Sequence, residues 1–575
     1  MSDCLLDFRP VAARRPDLAA EWLRFFPDMQ VFRFDEPHFS LVLTRSDDAR
    51  LWGPYRDPAT SVLVALVGRI AMEEKQWRDA EDIPHTGGLA CKAVFQSYQK
   101  GGLDALTELN GNFLVIVADP RKQQVCLVTD RCGMVPVFKA ATNPPVFSTH
   151  PDVLAAATDS SNDLDDVSLS EFLATGTVTF PFTYYRRISA IDTGSVHTMD
   201  LSRALPEYRM PSRYFEIRYR PDHASTEDAL AEQLLGAFRS AVRRRTLPRF
   251  GKTAISLSGG LDSRMLLCAC PDLGHISTFC FFDEENLEFR TARAIAEAKG
   301  VPFVAMRREP EHYGLAAEAG VRIHGGMGSF ANNHFLGFRP QLRRMGVGSV
   351  MTGFYCDYFF KGLALDKKRI KRYQTAEPAE FSTEWYRPIF QLKSATGQLA
   401  RERLDTRIPA EKRRFTCDED RLWIESRRIF PLAYEPDAAE TLVPQRTMSM
   451  ELPIVDNDVL DAYVRIPVRA KLQVSVYSRM VELMCGPAVS RIPDNNTGAP
   501  VNASGWRLQW SVYRRALRNK FERKVTPKLA TSGSWPNWEY YVHHSPVLRE
   551  LWTRNGTAAP DLLRSVAGFD PFARP

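Results

Sequence analysis

Thr253-Ala254-Ile255-Ser256-Leu257-Ser258-Gly259-Gly260-Leu261-Asp262-Ser263-Arg264-Met265-Leu266-Leu267 decides how this chain folds. A short apolar β-prone run ends at two glycines, and a helix-forming run follows. Paired glycines allow a tight turn that directs backbone N–H groups and a helix N-terminus at one point, which suits a polyphosphate. Ser258 and Ser263 add hydroxyl donors, and Asp262 supplies the hard oxygen that Mg²⁺ prefers. A glycine pair alone would imply only a strand–helix connection. The whole Ser258–Ser263 string in this setting points to nucleotide binding.

Working outward, Ser225 with Asp228 reads as a capping-box-like helix start, and Leu230, Leu234, Phe238 and Val242 share one helical face. A strand (ISTFCFF, 276–282) and a helix (LEFRTARAIAEAKG, 287–300) follow, and such alternation predicts a parallel sheet covered on both faces. Beyond about residue 365 the pattern is mainly helical. Before residue 205 it is strand-rich, with runs at 39–44, 61–68, 112–119, 124–130 and 134–140 and a helix over 89–100. Pro206, Pro211 and Pro221 punctuate the connection, so two domains are expected, 1–209 and 210–575.

At 575 residues, 44% hydrophobic and 25% charged, the chain has ample core for more than one domain. Seventy-five basic and sixty-nine acidic residues are interspersed and leave a net charge of +6, which gives no nucleic-acid footprint. Ten cysteines form no CxxC pair or zinc spacing; Cys268 and Cys270 read as small buried hydrophobes, as suits a reducing compartment. His85, His312, His334, His543 and His544 fall in no metal spacing. With no signal-peptide core and no 18-residue apolar run, a cytoplasmic protein without a membrane span is expected.

The SGGLDS string resembles the pyrophosphatase-type ATP loop, which implies adenylation with pyrophosphate leaving. Met351-Thr352-Gly353-Phe354-Tyr355-Cys356-Asp357-Tyr358-Phe359-Phe360-Lys361-Gly362 resembles the asparagine-synthetase segment SGEGSDExFGG. Glu451-Leu452-Pro453-Ile454-Val455-Asp456 is similar to its RxPFLD segment. Leu109–Asp119 and Asp130–Phe138 resemble the LxGxFAFxxxD and RDxxGxxPLYY strands of the glutaminase domain. The resemblance to the asparagine synthetase superfamily thus runs nearly the length of the chain. It implies an α+β N-terminal-nucleophile-type sandwich, glutamine amidotransferase-like, followed by an α/β adenine-nucleotide α-hydrolase-like (PP-loop) domain with a helical C-terminal part. It implies ATP and Mg²⁺ as cofactors. Ser258, Gly259, Gly260, Leu261, Asp262 and Ser263 would form the phosphate loop. Leu257, Phe281, Thr352 and Gly353 would line the adenosine site, and Asp262 and Asp357 would hold Mg²⁺.

The departures matter as much. Glutamine-using relatives expose a cysteine as residue 1, whereas Met1 is followed here by Ser2. Their NGEIYN string reads Val67-Gly68-Arg69-Ile70-Ala71-Met72, and their GSDCE string reads Gly87-Gly88-Leu89-Ala90-Cys91. An arginine and a leucine cannot replace two carboxylates around glutamine's ammonium, so the amidotransferase-like domain is expected to be degenerate, a scaffold without glutaminase activity. That pattern resembles β-lactam synthetases, lasso-peptide cyclases and asparagine-synthetase-like proteins of polysaccharide clusters. Phe354 replaces a glutamate tied to acyl-adenylate formation, and Tyr355 or Tyr358 would supply the tyrosine of a base dyad. The lysine expected after RIP is missing from Arg491-Ile492-Pro493-Asp494-Asn495-Asn496-Thr497-Gly498, which leaves Lys524 or Lys528 to reach in. Glu288 would face a substrate amine or serve its helix dipole, and Arg243-Arg244-Arg245 would complement a helix C-terminus.

These readings predict an AMP-forming carbon–nitrogen ligase joining a carboxylate to an amine. The favoured substrate is a precursor peptide closed into a macrolactam without ammonia chemistry, with a partner protease or leader-binding protein. Amidation of a sugar acid, a non-catalytic partner protein and glutamine-dependent asparagine synthesis are the alternatives, the last disfavoured by the missing pocket.

Overall fold

A computed structural model of the chain describes residues 2–83, 86–369, 376–392, 394–415, 417–435, 437–503, 505–525, 531, 533 and 535–556, the side chains of 369, 505, 518–525 and 556 excepted. Two antiparallel sheets build the N-terminal part. The first orders Ile188–Ala190, Phe138–Ala140, Val146–Ser148, Ser2–Asp7, Ser40–Arg45 and Gln30–Asp35. The second orders Glu207–Tyr208, Ser195–Asp200, Gln124–Thr129, Gly111–Asp119, Leu63–Ile70 and Tyr55–Arg56, with Ser212–Arg213 beside Ser195–Asp200.

The unbroken apolar run over 62–67 follows from burial on both faces. Successive strand residues point opposite ways. Leu63, Ala65 and Val67 therefore meet Cys4, Leu6, Leu41 and Leu43 between the sheets. Val64 and Leu66 pack outward against the helix Leu89–Thr107, through Val94 and Phe95. Leu5 and Val42 turn the first sheet's other face to the helices Pro16–Trp22 and Pro151–Ala157. The result is a helix–sheet–sheet–helix sandwich. Ser2–Asp7 is a central strand that sequence reading overlooked, because acidic residues flank its few apolar ones.

The second half holds a parallel sheet in the order Phe303–Arg307, Ile276–Phe282, Lys252–Ser256, Val347–Met351 and Met450–Glu451. Helices Glu227–Arg245, Leu261–Ala269, Leu287–Lys299 and Ser475–Ser490 cover one face around Leu234, Phe238, Leu257 and Met265. Phe279, Phe281, Phe335, Phe338 and Leu342 cover the other. From Lys252–Ser256 the chain adds strands in one direction, then returns to add Val347–Met351 on the opposite side. Between these neighbours the strand order reverses, and the crevice beyond their carboxyl ends is where such sheets take ligands. The SGGLDS turn follows one strand and the Thr352–Tyr355 turn follows the other, so topology alone brings them together. Among the described residues no helix is long and apolar enough to cross a membrane.

Two local expectations need correction. Thr226, not Ser225, caps the helix Glu227–Arg245, by accepting from the Ala229 N–H, while Ser225 Oγ donates to Asp222. The arginines that end this helix serve more than its dipole. Arg244 and Arg245 both reach the buried Asp456 at 2.5 Å, and Asn110 of the sandwich donates to the same carboxylate at 3.0 Å. An ion cluster of this kind fixes the sandwich against the parallel-sheet half.

Candidate active site

After Ser256 the Leu257 N–H still pairs with the Phe279 carbonyl at 2.8 Å, and then the chain turns. Ser263 Oγ accepts from the Ser258 N–H at 2.9 Å, and Ser258 Oγ accepts from the Gly260 N–H at 3.2 Å. The two hydroxyls thus shape the loop from within, and the helix Leu261–Ala269 begins at once. Gly259 does not line the cavity; a Cβ there would lie 2.6 Å from Asn495. Leu261 packs against the core instead. The segment searched for the missing lysine closes over this loop: the Asn495 N–H donates to the Gly259 carbonyl at 2.8 Å. Fully buried Arg264 ties the loop down by donating to the carbonyls of Gly260, Ile492 and Pro493.

Across the crevice, Thr352 is buried and Gly353 touches the glycine-turn side, where a Cβ would come within 2.7 Å of Asp262. Tyr355 adopts φ +69 at the start of the short helix Cys356–Phe360, which carries Asp357 into the cavity. Asp262 and Asp357 are therefore brought together as expected. Between them, however, sits Lys361, whose Nζ lies 2.7 Å from Asp262 and 2.8 Å from Asp357. Tyr477 adds a third partner by donating its hydroxyl to Asp262 at 2.6 Å. Burial works against the Lys361 charge, but the two carboxylates outweigh it and hold its pKa above the ordinary lysine range. A pair already bridged by an ammonium does not fit Mg²⁺, which needs near-octahedral oxygen ligands about 2.0–2.1 Å away. Among the described residues, no group of three or more His, Cys, Asp or Glu could hold a metal.

The two candidate tyrosines differ sharply. Tyr355 is buried, with its hydroxyl 3.2 Å from Thr441 Oγ1 and 3.4 Å from the Leu432 carbonyl, a packed role. Tyr358 donates to Asp437 at 2.8 Å, beside the buried Glu435. Burial, then Glu435 and Asp437, raise the Tyr358 pKa, so its hydroxyl keeps its proton and the carboxylate is the acceptor. Burial also raises the carboxyl pKa values of Glu435, Asp437 and Glu440, with Glu440 pushed up to about 8; repulsion by Asp437 adds to it for the two glutamates, and repulsion by Asp357 for Asp437. A patch this short of positive charge suits a protonated amine. Sequence reading missed all three acids, which lie about eighty residues beyond Tyr358 and carry no motif.

The loop, Asp262, Asp357, Asp437 and Glu440 open onto one cavity of about 1940 Å³. Leu257 and Phe281 floor it, and Arg290, Arg514 and Arg515 reach its walls. That volume exceeds a typical single-ligand pocket of roughly 300–1,000 Å³, which leaves space for a nucleotide and a second substrate. Glu288 also lines the cavity, where Asn495 Nδ2 donates to it at 3.0 Å. His543 and His544 line the rim, while His312 and His334 are largely buried in aromatic contacts. The Lys524 side chain, Lys528 and His85 lie outside the described residues.

Residues 84–209 match the model of a family described as a glutamine amidotransferase domain. No curated protein matches the chain. Solved structures similar to it include glutamine phosphoribosylpyrophosphate (PRPP) amidotransferase from B. subtilis complexed with ADP and GMP, at 10% identity, and the allosteric regulatory enzyme of purine biosynthesis, at 9%. Each comparison has a TM-score of 0.26 and covers 53% of this chain and 65% of the other, so the chain spans less than two thirds of either relative. The matched stretch lies within the sandwich, so that part of the chain is glutamine amidotransferase-like, and Arg69 precedes it.

Proposed function

We propose that this chain is an ATP-dependent amide-forming ligase of the asparagine-synthetase type, in which residues 210–575 adenylate a carboxylate and pass the acyl group to an amine. One observation carries the reading. The serine-braced glycine turn opens at the switch point of a parallel sheet, with a helix N-terminus and arginines around a cavity large enough for two substrates. Leu257 and Phe281 would bed the adenine, and the turn's amides would face the phosphates.

In the first step a substrate carboxylate oxygen attacks the α-phosphorus of ATP and pyrophosphate leaves. In the second, the protonated amine gives one proton to Asp437, the neutral amine attacks the acyl carbon, AMP leaves with the bonding electron pair, and the surplus proton on nitrogen passes to water. Tyr358 would orient Asp437 for that transfer. No step is assigned to a metal held by Asp262 and Asp357. The acidic patch favours an amine carried by the substrate over free ammonia, which supports a peptide or natural-product acid such as a macrolactam precursor.

The test is calorimetric titration of ATP into the full chain, followed by pyrophosphate release with candidate acids and peptides. Ser263→Ala removes the hydroxyl that holds the turn and should weaken ATP binding about tenfold. Absence of ATP association in the wild type would sink the reading.

A further inference from the structure

The acids at the switch point come from the first turns of two helices, yet what fills the gap between them is a side chain of the same molecule. The geometry points to Lys361 as a built-in cation: it occupies the place a divalent metal would need between Asp262 and Asp357, and its ammonium offsets the two carboxylates that nucleotide phosphates would meet there. The metal half of this inference stands by itself; the phosphate half rests on the nucleotide reading above.

Three observations carry it. The first is position. Nζ is 2.7 Å from Asp262 Oδ1 and 2.8 Å from Asp357 Oδ1, so an ion bridging both carboxylates would coincide with the ammonium. The second is that the lysine is held in place. Lys361 follows the helix Cys356–Phe360 four residues after Asp357, the spacing at which helical side chains meet. The Tyr477 ring lies 5.3 Å from Nζ, is stacked on Phe360 at 5.4 Å, and its hydroxyl uses one Asp262 oxygen. The third is ligand supply, since no third acid or imidazole joins the pair among the described residues. In the segment that this stretch resembles, SGEGSDExFGG, glycine stands where Lys361 stands here. A glycine leaves the gap open, and a lysine closes it.

The charge arithmetic agrees. Two bare carboxylates would repel a polyphosphate, whereas one ammonium between them cancels half of that charge.

The test begins without nucleotide. Mn²⁺ is titrated into the full chain and followed by electron paramagnetic resonance. The wild type should show no site that Asp357→Asn removes. Lys361→Ala should gain one, with Kd about 10⁻⁴ M or tighter, and the double variant Lys361→Ala/Asp357→Asn should lose it. Lys361→Gln, checked by circular dichroism, repeats the measurement should the alanine variant misfold. A second arm follows a fluorescent ATP analogue in EDTA: wild-type binding persists, Lys361→Ala binds about tenfold more weakly, and Mn²⁺ restores it. A wild-type Mn²⁺ site lost in Asp357→Asn, or no gained site in either folded lysine variant, overturns the inference. Should the metal pattern hold while the wild type binds no nucleotide even with Mg²⁺, the phosphate half and the nucleotide reading fall together and the metal half remains.

Discussion

Arg69 Nη1 donates to Glu451 Oε1 across 2.7 Å, joining a strand of the sandwich to the last strand of the parallel sheet. Asp47 approaches the same guanidinium at 3.4 Å, and Trp52 lies under it with its centroid 4.7 Å away. Both partners are nearly inaccessible to water, so removing one strands a buried charge. Arg69→Ala is expected to destabilise the protein by about 3–5 kcal/mol. Urea unfolding monitored by tryptophan fluorescence measures the loss. A midpoint within error of the wild type would show that the junction does not depend on this pair.

In the proposed reading the same arginine also excludes glutamine. Glutamine bound by the family pattern presents its ammonium to an acid, and a guanidinium there repels it. Ser2 is fully buried in a central strand, and its Oγ accepts from the Gly68 N–H at 3.1 Å. The expected result is no glutamate released from glutamine, with or without ATP, and no difference between wild type and Ser2→Ala. An enzyme-coupled glutamate assay decides this. Release abolished by Ser2→Ala would restore glutaminase function to the domain.

What the sequence made legible followed from local chemistry. The glycine turn and its flanking strand and helix were readable because each rests on a short string, whereas the approach of Asp262 to Asp357 was implied only by the family resemblance. Lys361 was readable in principle, since Asp357 and Lys361 are four apart on a helix, but basic residues in a helical region read as solvated. The acids around Tyr358 and the partners of Arg244 and Arg245 were out of reach, because tertiary packing alone joins segments that far apart. Arg245 shows the reason: the local rule for cations at a helix end accounted for it, and nothing nearby hinted at Asp456.

Tyr358 and Asp437 yield a kinetic prediction. The tyrosine keeps its proton and orients the carboxylate, so its loss should affect amine attack and spare adenylation. Tyr358→Phe is expected to slow amide formation about a hundredfold or more while ATP–pyrophosphate exchange continues. Asp437→Asn should behave alike and also flatten the acidic limb of the pH–rate profile. Equal loss of exchange and amide formation would place Tyr358 in the first step or in folding.

Glu440 yields a stability prediction with a definite sign. Its carboxyl pKa in the folded protein is about 8, raised by burial and then by Asp437, against an unfolded value near that of free glutamate. The folded state therefore holds a proton that the unfolded state has released, and stability falls as pH rises through that interval. Replacing the acid with an uncharged amide removes this penalty above the folded pKa and changes little below the unfolded one. Glu440→Gln should raise the apparent unfolding temperature by about 2 °C or more at pH 8.5 and leave it unchanged at pH 4.5. Differential scanning fluorimetry across that range measures both. A constant offset at every pH would mean that the substitution acts through packing, and that the acidic patch is not held protonated by its surroundings.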